Sequence, residues 1–143
     1  MKVPGSLKIT GARGRRPEPN GSQETQAQAL AREILSADDA VLAVIVSDPK
    51  GLSLAYVVRE NTKTRVLTDK NEIKRLGLVE LLALKLGSRP NQDFGEIKYL
   101  AYVYESFKLV VAELRSPPSV VGLKITRSSN TEYLVDKVLR EHM

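Results

Sequence analysis

Few residues in this 143-residue chain invite a chemical reading, and their spacing limits what they can do. There is no cysteine, which removes disulfides, thiolate metal cages, CxxC redox pairs and a cysteine nucleophile. The lone histidine, His142, is the penultimate residue, so a histidine-based triad or a multi-histidine metal site has nothing to build on. At the end of a helix, His142 is expected to favour the negative end of the helix dipole. Asp38 and Asp39 are adjacent carboxylates that could suggest a metal, but two acids directly after a helix read more simply as solvated turn residues. Asp93-Phe94-Gly95 spells the metal-binding tripeptide of protein kinases without the glycine-rich loop, the lysine context or the catalytic loop that give it meaning. Gly11-Ala12-Arg13-Gly14 lies away from any strand-to-helix junction, where a dinucleotide fingerprint must sit, and no GxxxxGK[ST] phosphate loop occurs. No constellation supports a serine or lysine nucleophile. The expectation is a chain that is not an enzyme and carries no cofactor or metal site.

Charge points the same way once it is divided. Lysine and arginine number 22 against 17 acidic residues, a formal +5 that invites an anionic partner. Residues 1–22 carry Lys2, Lys8, Arg13, Arg15 and Arg16 against Glu18, a net +4, which leaves only +1 for the remaining 121 residues. The body is nearly neutral and predicts no basic groove. Residues 1–23 are rich in glycine, proline and arginine, and read as a flexible basic arm; only residues 6–10 alternate like a strand. Lys8, Arg13, Arg15 and Arg16 are the positions through which that arm would meet an anionic partner, nucleic acid or membrane. No apolar run approaches the ~20 residues needed to span a bilayer, and the N-terminus lacks the apolar core of a secretory signal. A soluble cytoplasmic protein is expected.

Residues 24–143 read as a single domain. Ala27, Leu30, Ala31, Ile34 and Leu35 recur at helical spacing and make one apolar stripe. Residues 41–46, VLAVIV, form a continuous, mostly β-branched run, as in a strand buried on both faces. Asp48-Pro49-Lys50-Gly51 is a turn in which proline presets φ and glycine accepts a positive one. Residues 52–58 return as the second arm of a hairpin. A charged, irregular stretch, 59–68, precedes a second helix capped by Asp69 with Glu72 three residues on, ending near Gly87 and Pro90. Three strands follow, at 96–104, 108–114 and 120–126. Ser129 and Glu132 then form a capping box for a last helix with Leu134, Val135, Val138 and Leu139 on its inner side. The order α-β-β-α-β-β-β-α, with short turns, favours an antiparallel sheet flanked by helices, an α+β fold.

Two of these elements carry more apolar surface than one core needs. In the middle helix Ile73, Leu76, Leu78, Val79, Leu81, Leu82, Leu84 and Leu86 go nearly all the way round the cylinder, which calls for burial on more than one side. Each leucine left exposed would forgo roughly 1.5–3 kcal/mol. In the strand at 97–104, Ile97, Tyr99, Ala101 and Val103 alternate with Lys98, Leu100, Tyr102 and Tyr104, and neither face is polar. Three of the five tyrosines fall here, where apolar contact and a hydrogen-bonding tip are both useful. One side of each element can meet this domain; the other is expected to meet a second subunit.

At these positions the chain resembles the roadblock/dynein light chain family, one of the small profilin-like and longin-like folds. VLAVIVSDPKGLSLAYV at 41–57 is similar to the family's V-x-(A/G)-x-(V/I)-V-x-D-x-x-G-x-x-(L/I)-A hairpin, the leucine-rich middle helix follows, and GEIKYLAYV at 95–103 looks like its glycine-led third strand. The resemblance implies a five-stranded antiparallel sheet with the middle helix on one face and the terminal helices on the other. It also implies a homodimer, or a heterodimer with a paralogue, joined through the third strand and middle helix. Leu78, Leu81, Leu82, Lys85, Lys98, Leu100, Tyr102 and Tyr104 are the interface candidates. Family members scaffold complexes or regulate small Ras-like GTPases, so the implied function is a non-enzymatic adaptor or GTPase regulator; no position matches an arginine finger. A sensory or small-ligand-binding module on a similar sheet is the alternative, and association of the arm with nucleic acid or membrane is a third.

Overall fold

The computed structural model describes residues 21–59, 82 and 97–143. Helix α1 (Gly21–Ala37) buries Ala27, Leu30, Ala31 and Ile34, the stripe read from the spacing. It begins three residues before Glu24, so Gly21, Ser22 and Gln23, assigned above to the arm, are its exposed first turn. Strands β1 (Val41–Ser47) and β2 (Ser53–Val58) form the expected hairpin, and β1 is buried almost throughout. Its turn is held by one carboxylate. Asp48 Oδ1 accepts from the backbone N–H of Lys50 at 2.8 Å and of Leu52 at 2.9 Å. The Gly51 N–H donates to the Asp48 carbonyl at 2.9 Å, and Gly51 has φ 92°, a value that a side chain would resist.

Strands β3 (Leu100–Val103), β4 (Phe107–Arg115) and β5 (Pro118–Thr126), helix α2 (Thr131–Leu139) and a 3₁₀ turn (Arg140–His142) complete the described chain. The five strands make one antiparallel sheet in the order β2-β1-β5-β4-β3. The last strand in sequence thus lies beside the first, and β2 and β3 are left at the edges. Side chains alternate across it. Val44 and Val46 of β1, Val110, Ala112 and Leu114 of β4, and Val121, Leu123 and Ile125 of β5 share one core with the stripes of α1 and α2. Both terminal helices therefore cover the same face, as the resemblance implies. The middle helix lies outside the described residues except for Leu82, which is helical.

The third strand and the cap of the last helix also need correction. The third strand does not run over 96–104: among its described residues only Leu100–Val103 pair with β4, and 97–99 are not strand. Tyr99, just before the strand, is half-buried and packs against the main core. The last helix is capped by Asn130, not Ser129. Asn130 is extended at φ −77°, ψ 105°, and its Oδ1 accepts from the Tyr133 N–H at 3.0 Å. Ser129 is occupied one residue earlier, its hydroxyl paired with that of Thr126 and its N–H donating to the Thr126 carbonyl at 3.1 Å.

Helix ends leave carbonyls without partners, and α1 has no basic residue in its last turn. Arg59, just past β2, supplies the donors. Its Nε donates to the Val41 carbonyl at 2.8 Å, while one terminal nitrogen donates to the carbonyls of Asp38, at 2.9 Å, and Leu35. Its positive charge also sits at the negative end of the α1 dipole. Asp38 closes the α1–β1 turn through the Ala40 N–H at 2.8 Å and reaches α2 through Lys137 Nζ at 2.9 Å. The hydrogen bond from Lys137, then that from Ala40, holds the Asp38 carboxyl below its ordinary value. Asp38 is thus a structural turn residue, and Asp39 is exposed beside Arg59 at 3.8 Å. His142 lies in the 3₁₀ turn that continues α2, where its Nδ1 faces the Ser116 carbonyl at 2.8 Å and its Nε2 faces Glu33 Oε2 at 3.1 Å. Among the described residues no helix is long and apolar enough to cross a membrane.

Candidate protein interface at the edge strand

The geometry of β3 follows from its hairpin. Glu105 and Ser106 form a two-residue connection, across which the Tyr104 N–H donates to the Phe107 carbonyl at 2.9 Å. The register continues as Tyr102 opposite Leu109 and Leu100 opposite Val111. In an antiparallel ladder hydrogen-bonded and non-hydrogen-bonded pairs alternate. Tyr104, Tyr102 and Leu100 therefore turn their backbone groups toward β4. Ala101 and Val103 turn theirs outward, to the edge where the described sheet ends.

Side chains follow the same alternation. Leu100 and Tyr102 lie on the face of Leu109, Val111 and Val120, which form a second, smaller apolar cluster with Leu100. Ala101 and Val103 lie on the opposite face. Ile97 is 39% exposed, Tyr102 37%, Tyr104 48% and Val103 59%, an apolar set concentrated on one short edge. Native proteins blunt sheet edges or cover them; an exposed apolar edge strand is a template for pairing.

Beyond the strand end, Tyr104 stacks on Phe107 with ring centroids 4.8 Å apart and planes at 25°. Lys124 Nζ lies 4.5 Å from the centre of the Phe107 ring, and burial pushes the Lys124 ammonium below its ordinary value. Arg127 Nε donates to the Tyr104 carbonyl at 3.1 Å. These contacts fix the β3–β4 hairpin and the rings beside it.

Of the interface candidates, the structure brings Leu100, Tyr102 and Tyr104 together at this edge and places Lys98, exposed, just before it. Leu82 is helical and 57% exposed. Leu78, Leu81 and Lys85 lie outside the described residues, as do Lys8, Arg13, Arg15 and Arg16 of the arm. Sequence reading missed the outward role of Ala101 and Val103, and the contacts of Phe107, Lys124 and Arg127. The signal for Val103 was present: both faces of the strand are apolar, and an edge strand can expose either. The ring contacts join residues of different strands and left no local trace.

Among the described residues no group of acids or histidines is arranged to hold a metal. A recess of about 240 Å³ lies between α1 and the β1–β2 and β4–β5 turns, lined by Ala27, Val46, Asp48, Pro49, Leu54 and Pro117.

No family model and no curated protein matches the chain's sequence. Solved structures do match its shape. A roadblock/LC7 domain from Streptomyces avermitilis is 11% identical with a TM-score of 0.60, over 78% of this chain and 87% of that one. MglB from Myxococcus xanthus is 12% identical with a TM-score of 0.63, over 87% and 90%. An MglB with a tetrameric arrangement is 13% identical with a TM-score of 0.61, over 85% and 91%. This chain has the roadblock fold. At such identities the likeness speaks for architecture alone, and in this roadblock fold the described sheet ends at β3.

Proposed function

We propose that this protein is a dimeric, non-enzymatic adaptor that binds a small Ras-like GTPase or scaffolds an assembly containing one. The observation that carries the reading is the edge strand β3. It presents Tyr102, Val103 and neighbouring Tyr104 to solvent and directs the backbone groups of Ala101 and Val103 outward. A second copy joined at that edge would extend the sheet across both subunits and cover these side chains. The leucine-rich stretch 70–86, apolar nearly all the way round at helical spacing, would supply a second surface to the same interface. The occurrence of a similar MglB in a tetrameric arrangement supports self-association for this fold. The near-neutral body supports a protein partner in preference to an anionic polymer.

The partner is tested by affinity isolation of the full chain from its native cell extract, with GDP or a non-hydrolysable GTP analogue added. A co-isolated small GTPase whose recovery depends on the nucleotide is the expected result. Recovery of no GTPase under either condition refutes that part of the reading. Deleting residues 1–20 is expected to leave the GTPase bound; its loss would transfer binding to the basic arm.

A further inference from the structure

We infer that two copies of this chain meet at β3 in one specific register, with Tyr102 of each copy facing Tyr102 of the other across the two-fold axis. The inference rests on the dimer proposed above and adds where its axis lies.

Only Ala101 and Val103 of β3 point their N–H and C=O groups away from β4, as the Tyr104–Phe107 hydrogen bond and the pairing of Leu100 with Val111 require. A two-fold axis through an antiparallel strand pair permits three registers centred within this outward pair. With Ala101 on the axis, Ala101 faces its own copy and Val103 falls opposite residue 99, which has left the strand. With Val103 on the axis, Ala101 falls opposite Glu105 in the hairpin turn. Either way one outward residue of each copy lacks a strand partner. With Tyr102 on the axis, Ala101 of each copy exchanges both backbone hydrogen bonds with Val103 of the other. No outward group is then left unpaired, and the closed edge makes four bonds across the axis where the alternatives make two.

The side chains agree with that register. On one face small Ala101 lies opposite Val103, which is 59% exposed in the single chain. On the other, Tyr102 forms an aromatic pair at a non-hydrogen-bonded position, where strands approach most closely and such pairs stabilise a sheet.

The chain contains no cysteine, so single-cysteine variants report the register directly. Non-hydrogen-bonded partners lie about 4.5 Å apart at Cα, within disulfide reach. Residues displaced by two positions along the strand lie roughly 8 Å apart, beyond it. Tyr102→Cys, Ala101→Cys and Val103→Cys are oxidised separately and resolved on a non-reducing gel, with light scattering of each reduced variant as the control for association. The expected result is a shift of Tyr102→Cys to the covalent dimer, with the other two remaining monomeric on the gel. Mixing Ala101→Cys with Val103→Cys should then produce a covalent dimer that neither forms alone. Cross-linking of Ala101→Cys or Val103→Cys alone, with none at position 102, would move the axis and overturn the register. An associated protein that cross-links at none of the three positions would overturn it too. If light scattering finds only single chains, the dimer itself fails, and the register with it.

Discussion

Removing the Arg59 side chain should cost more stability than any other truncation in the described loops. The guanidinium serves three carbonyls at once, those of Val41, Asp38 and Leu35. They are not equivalent when it is lost. Leu35 and Asp38 are half-buried, so water can replace part of what Arg59 supplies, whereas Val41 is fully buried. An orphaned buried carbonyl costs about 1–3 kcal/mol. Loss of a cation at the helix C-terminus adds roughly 0.3–1 kcal/mol. Arg59→Ala is therefore expected to lose about 1–4 kcal/mol, up to a large part of the ~5–15 kcal/mol that holds a domain of this kind. Urea unfolding at fixed protein concentration should show the midpoint falling by about 0.5–2 M with little change in slope. Arg59→Lys keeps the charge but not the fork that reaches several carbonyls, and should recover less than half of the loss. A midpoint for Arg59→Ala within error of the parent chain would show that these carbonyls find other donors and that α1 does not depend on Arg59.

His142 faces two acceptors, the Ser116 carbonyl and the Glu33 carboxylate, and only the imidazolium has two N–H groups to give them. Burial opposes that charge, but the hydrogen bonds to Ser116 and Glu33 and the charges of Glu33 and Glu141 outweigh it, so the group titrates above its ordinary 6.5. Its contribution to stability should be complete below pH 6.5 and fade as pH rises through the higher folded value; an NMR titration of this single histidine at or below 6.5 would refute the contact. Lys137→Met should raise the Asp38 carboxyl, whose stabilising effect is otherwise lost only as pH falls through a value below 3.8; an unchanged carbon-detected titration would contradict the pairing. Asn130→Ala should cost about 1 kcal/mol as a lost helix cap. Glu132→Ala should cost less, because no capping box uses it, and the reverse order in thermal unfolding would restore the Ser129 reading.

Where a contact is local, the chain announces it. The stripe of α1, the buried run of β1 and the Asp48–Gly51 turn each depend on residues a few positions apart, and each forms as the spacing implies. The last helix shows the resolution of such reasoning. Ser129 and Asn130 are both good caps, and the choice between them is made by the bond of Ser129 to Thr126, a detail of the preceding turn. Arg59 was unreadable because its acceptors lie 18 to 24 positions away. The same distance problem governs the interface. Apolar residues on both faces of 97–104 mark an unusual strand, but its place at the edge depends on β5 inserting between β1 and β4, a long-range pairing. Only with that order known do Ala101 and Val103 become the residues whose backbone looks outward.

Self-association through β3 is most directly tested by the mass of the full chain in solution, measured by light scattering during gel filtration at micromolar concentration. The account predicts about twice the single-chain 15.8 kDa, falling to the single-chain value in Val103→Asp, whose side chain is 59% exposed and whose fold should be unaffected. A parent protein that elutes as one chain, or a dimer indifferent to a charge at Val103, would contradict it.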